Sequence, residues 1–132
     1  MALGFSSTLR NARADAITTN VGSAANLQIY DGTRPATGAA ITSQVKLAEF
    51  TMGSPFAAAA SAGVLSPTLP SNATGLAAGT ATWARLVKSD GTTFVCDFTV
   101  GTSGTDIVLN TVTVSVGLTL QMTAASITEG NA

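Results

Sequence analysis

The chain has 132 residues, six basic and seven acidic side chains, one cysteine and no histidine, and its formal net charge is −1. That length fits a single domain, taken as residues 1–132. Its acids are scattered at Asp15, Asp31, Glu49, Asp90, Asp97, Asp106 and Glu129, which argues against an enzyme and against a cofactor site, and no basic patch exists to hold nucleic acid.

In chain order, residues 1–22 form an N-terminal helical segment and residues 23–132 read as β structure. A helix is predicted over residues 7–21, capped by Ser6 or Ser7. Its apolar face is expected to carry Leu9, Ala12, Ala16 and Ile17, with Arg10, Asn11 and Asp15 opposite. Leu3 and Phe5 precede the cap and are expected to pack back onto the helix as a staple. Gly22 and Ser23 end it. Residues 26–30 then read as a strand, with Leu27 and Ile29 on one face, followed by an Asp31-Gly32 turn. Residues 33–42 read as a loop and residues 44–52 as a strand that alternates imperfectly.

Residues 53–79, rich in Ala, Ser, Gly and Pro, form the least regular stretch, with a short strand expected at Gly63-Val64-Leu65. So long an excursion is expected either to contact partners or to hide structure that the pattern does not reveal. Residues 80–88 and 93–101 flank Ser89-Asp90-Gly91-Thr92, a strong hairpin signal. The second arm places Phe94, Cys96, Phe98 and Val100 on one face and Thr93, Val95, Asp97 and Thr99 on the other. Trp83, in the first arm, is expected to anchor a core or an interface. From Val112 to Met122 apolar residues alternate with Thr, Ser, Gly and Gln, and Gly117 is where this ribbon bends or splits. The fold expected is mainly β, an antiparallel β-sandwich or jelly-roll-like barrel with one N-terminal α-helix.

Apolar residues make up 45% of the chain but aromatics only 5%. Burying Ala removes little apolar area, and stabilisation follows area at roughly 25 cal/mol per Å². Modest monomer stability and association with further copies are therefore expected. Residues 51–84 and 107–128 carry no charge, yet prolines and glycines break the first and polar residues alternate through the second, so neither reads as a membrane span. With no signal-peptide pattern at the start, the chain reads as soluble and non-secreted. Cys96, between Phe94 and Phe98, reads as a small buried hydrophobe. Asp31, Asp90, Asp97 and Asp106 lack calcium-loop spacing, so no metal site is expected. Tyr30 and Trp83 are the aromatics on which a sugar-binding reading depends.

Four segments carry a resemblance: LGFSSTLRN at 3–11, LQIYDGTRP at 27–35, GTATWAR at 79–85 and ITEGNA at 127–132. With them the chain resembles small virion structural proteins of tailed bacteriophages. Proteins of that class include capsid cement and decoration proteins, often trimeric, and tail or baseplate adaptors. The resemblance implies a non-enzymatic protein in the virion, assembled in the host cytoplasm, whose partners are the major capsid protein or other virion proteins and further copies of itself, a trimer being favoured. Phe5, Leu9, Arg10, Arg13, Arg34, Phe56 and Trp83 are the side chains expected to meet those partners.

Overall fold

The computed structural model describes residues 4–129; Leu3 of the expected staple and Gly130, Asn131 and Ala132 of the last resemblance segment lie outside them. Helix α1 (Ser7–Val21) begins where the Ser6 hydroxyl accepts the Leu9 N–H at 3.2 Å. It ends at Gly22, whose φ of +74° suits a residue without Cβ and whose N–H returns to the Thr18 carbonyl at 3.3 Å. The buried side chains are Ala14 and Val21, whereas Leu9, Ala12 and Ala16 face outward. The helix is therefore rotated from the expected orientation. Polar bonding explains why. Asn11 and Asp15 accept the backbone N–H groups of Gly63 and Ala60 at 2.8 and 2.6 Å, and Arg10 donates through Nε and Nη2 to the Glu129 carbonyl at 3.0 and 2.9 Å. Each partly buried amide left without an acceptor would cost about 1–3 kcal/mol, so the two together match or exceed the roughly 1.5–3 kcal/mol that burying Leu9 would return.

The strands are β1 (Asn26–Tyr30), β2 (Lys46–Thr51), β3 (Val64–Leu65), β4 (Ala73–Thr74), β5 (Gly79–Thr80) and β6 (Trp83–Val87), then β7 (Phe94–Gly101), β8 (Ile107–Leu109), β9 (Thr113–Val114), β10 (Thr119–Leu120), β11 (Met122–Ala125) and β12 (Ile127–Thr128). Six of them form one curled, antiparallel-rich sheet in the order β11-β8-β7-β6-β1-β2. The mainly β expectation, with one helix near the N-terminus, therefore holds. The hairpin holds as well: Asp90 closes the β6–β7 turn by accepting the Thr92 and Thr93 N–H groups at 2.8 Å each. One pairing departs from the antiparallel rule, since β7 and β8 run parallel after the link 102–106. Such a return ordinarily takes a dozen residues or more. Here Asp106 braces it, its Oδ2 accepting both the N–H and the hydroxyl of Thr99 at 3.0 Å.

The remaining strands pair two by two, β3 with β12, β4 with β10 and β5 with β9. The 53–79 excursion is thus packed structure that contributes Phe56, Ala57, Leu65 and Ala73 to the same core as Leu27, Ile29, Phe50 and Leu86. The alternating C-terminal ribbon is broken into β9, β10 and β11. Gly117, at φ +83°, makes the turn between the first two, and Val116 at its tip is 74% exposed in spite of the pattern. Gly75 is required opposite that turn, because a Cβ there would collide with the Ser115 carbonyl. Among the described residues no helix is long and apolar enough to cross a membrane.

Candidate functional site

The central strands of the sheet are buried on both sides, and the two sides differ. Pairing places Leu27, Ile29, Phe50, Ala84, Leu86 and Phe98 on one face, against the core. Across the sheet lie Gln28, Tyr30, Glu49, Arg85 and Asp97. Phe94 joins them. A register shift opposite Leu86 and Val87 skips Val95 and sets Phe94 across from Val87, which corrects the expectation that it shares a face with Cys96. The loop between β1 and β2 covers this second face, and Gly38 lies close enough to Phe94 that a Cβ would meet its ring at 3.4 Å.

Arg85 is the centre of this face. Its Nε and Nη2 bind the two carboxylate oxygens of Asp97 at 2.8 and 3.0 Å, and Nη1 donates to the Ala39 carbonyl at 2.7 Å. The guanidinium lies 5.3 Å from the Trp83 ring and 5.0 Å from the Phe94 ring, within cation–π range of both. The hydrogen bond to Asp97 raises the guanidinium pKa further. Side-chain exposure is 8% for Arg85 and 1% for Asp97, so the pair is desolvated and each charge depends on the other. Beside it, Tyr30 and Trp83 stack at 4.8 Å, the Trp83 Nε1–H donates to the Asp31 carbonyl, and the Tyr30 hydroxyl donates to Gln28. Burial pushes the Tyr30 phenol pKa up. Gln28 in turn donates to Glu49, which also pairs with Lys46 at 3.2 Å. The network is braced and internally satisfied.

No protein-family model, curated protein or solved structure matches this chain. All seven carboxylates are engaged within the fold. Asp15, Asp31, Asp90 and Asp106 accept backbone N–H groups, Asp97 and Glu129 pair with arginines, and Glu49 is held by Gln28 and Lys46. Among the described residues no three His, Cys, Asp or Glu side chains converge as a metal site. Asp90 is held down to about 2 by the Thr93 hydroxyl and by the Thr93 and Thr92 N–H groups. Burial, with Asp97 and Asp106 nearby, pushes the Cys96 thiol up to about 12, far from a reactive thiolate.

The seven side chains expected to meet a partner do not gather on one surface. Phe56 and Trp83 are interior, at 1% and 2% exposure, which corrects the expectation of an interface role for them. The same burial, with Tyr30 at 7%, removes the two aromatics that a sugar site required. Arg10 is clamped onto the Glu129 carbonyl; Arg13 pairs with the Glu129 carboxylate at 3.0 Å and lies 4.8 Å from the Phe5 ring. Leu9 and Arg34 are exposed. Sequence reasoning missed the exposed apolar side chains Leu69, Leu76 and Val116, at 48%, 54% and 74%. Leu76 and Val116 are brought near each other because Gly75 bonds to Leu118 and Gly117 bonds back to Gly75. Two glycines facing one another were the only signal in the sequence.

Proposed function

We propose that this chain is a non-enzymatic structural part of a tailed-bacteriophage virion, a capsid cement or decoration protein. It sits as a homo-oligomer, a trimer, over junctions between subunits of the major capsid protein. One observation carries the reading: every acidic side chain is committed to holding the fold, while large apolar side chains at Leu9, Leu69, Leu76 and Val116 face outward. A chain built this way offers shape and apolar surface, and a few such residues ordinarily supply most of an interface's energy. The phage assignment comes from the four segments that resemble virion proteins. Quantitative mass spectrometry of purified particles tests it. Hundreds of copies per particle are expected; a handful would move the chain to the tail or baseplate, and none would overturn the proposal.

A further inference from the structure

Among the described residues, no strand pairs with the outer edge of β7 before Val100. β6 pairs along one side of β7 from Phe94 to Thr99, but β8 pairs along the other side only at Val100 and Gly101. Bonding alternates along an antiparallel strand. Val100 donates inward to the Thr82 carbonyl at 3.3 Å, and the Thr99 N–H points outward to Asp106. Asp97, two residues before Thr99, therefore directs its N–H and C=O outward, and among the described residues no strand pairs with them. Beside this edge runs a groove. One part, of ≈ 360 Å³, lies between Arg13, Ala16 and Asn20 of α1 and Val95 of β7. The next, of ≈ 250 Å³, continues past Cys96 and Phe98 to Asp106 and Ile127. Ile17 and Cys96 line both, so the two parts form one slot.

We infer that this slot accepts an extended arm of a partner polypeptide, which adds to the β7 edge as a strand. The inference rests on the reading of the chain as a non-enzymatic protein that works through contact surfaces, though not on the virion assignment. Three features define the occupant. The outward N–H and C=O of Asp97 call for polypeptide backbone, and strand addition satisfies both at once. The walls at Ala16, Ile17, Val95, Phe98 and Ile127 call for small apolar side chains at every second position of the arm. The ends are oppositely charged. Arg13, 45% exposed and tied to Glu129 by a surface ion pair, stands at one, and the exposed Asp106 stands at the other. A surface pair of this kind is worth little and yields to a competing carboxylate. An arm with an acid toward Arg13 and a base toward Asp106 complements both. Because α1 and residues 126–128 wall the slot, an extended segment enters it more readily than the sheet edge of a second folded copy. The bulge at Val95 ends it.

Random peptides of about eight residues, enough to cover a strand edge, are displayed on a carrier and panned against the intact chain. Enriched peptides are expected to alternate small apolar residues and to carry opposite charges at their ends. They should protect the Asp97 amide from hydrogen exchange. Ala16→Trp, which fills the slot from the exposed face of α1, should weaken binding about tenfold or more, and Ala12→Trp, on the same helix but away from the slot, should leave it unchanged. Failure to enrich any peptide, equal binding to the Ala16→Trp variant, or protection confined to other amides would overturn the inference. Should Ala16→Trp fail to fold, protection of Asp97 in the unaltered chain decides alone. A chain absent from virions would remove the phage assignment and leave the slot; a slot that binds nothing would do the reverse.

Discussion

Asp97→Asn is the substitution that most sharply tests how the second face of the sheet is held. It keeps the shape of the side chain and removes its charge, leaving the Arg85 guanidinium at 8% exposure with the Ala39 carbonyl and two aromatic rings as its remaining partners. Two charge-assisted hydrogen bonds, at 2.8 and 3.0 Å, are weakened together. Removing one partner of a buried ion pair ordinarily costs about 3–5 kcal/mol, because the other charge stays buried and uncompensated. For a domain of this size each kcal/mol lowers Tm by roughly 3–6 °C, so a fall of about 10–30 °C is expected. Trp83, the single tryptophan, stacks on Tyr30 within the same network, so its fluorescence reports urea unfolding directly. The companion variant Arg85→Met/Asp97→Leu removes both charges and should recover most of the loss, since apolar replacement of a buried pair is often neutral or stabilising. A loss below about 1 kcal/mol for Asp97→Asn, or a double variant as unstable as the single one, would refute the reasoning.

Three further outcomes follow from the same geometry. Asp15→Ala strips the acceptor from the Ala60 N–H and should cost about 1–3 kcal/mol in urea melts, whereas Leu9→Ala, at a side chain 45% exposed, should cost under about 0.5 kcal/mol; the reverse order would restore the helix orientation expected from the sequence. Asp90 has a folded pKa depressed from 3.8 to about 2, so the stability it contributes is present above the unfolded value and is lost as pH falls from about 4 toward 2. Melting curves across that window should show a smaller decline for Asp90→Asn than for the unaltered chain, and identical declines would contradict the assignment. With its thiol pushed up to about 12, Cys96 should react with iodoacetamide at pH 8 on the order of a thousandfold more slowly in the folded chain than in urea, as read by mass spectrometry, and comparable rates would show it to be ionised.

How much of this was legible in the sequence depended on how local the controlling interaction is. The first strand, the Asp90-Gly91 turn and the Ser6 cap are set by neighbours in sequence, and each appears where its pattern put it. The helix orientation was not legible, because its decisive acceptors, Asn11 and Asp15, answer amides 52 and 45 residues away. Alternation in the C-terminal ribbon predicts a strand that bends or splits at Gly117, and the chain does turn there; its division into three short pieces was not legible. Gly117 and the close approach of Gly75 to Ser115 fold it into short ladders, an outcome that depends on a segment some forty residues upstream. Phe94 changed faces through a single bulge that its own alternation does not encode. The aromatic–ionic face was half visible: Trp83 stood out as an anchor, but the pairing of Arg85 with Asp97 required knowing the hairpin register. Exposed Leu76 and Val116 had no sequence signature beyond the glycines beside them.

The central claim is that this chain functions by fitting against the subunits of a particle. An electron cryomicroscopy reconstruction of the intact virion tests it most directly. The proposal predicts density for the helix and the six-stranded sheet in threefold clusters over capsid-subunit junctions, with Leu76 and Val116 turned toward the shell. A particle whose shell and tail are fully accounted for by other chains would contradict it.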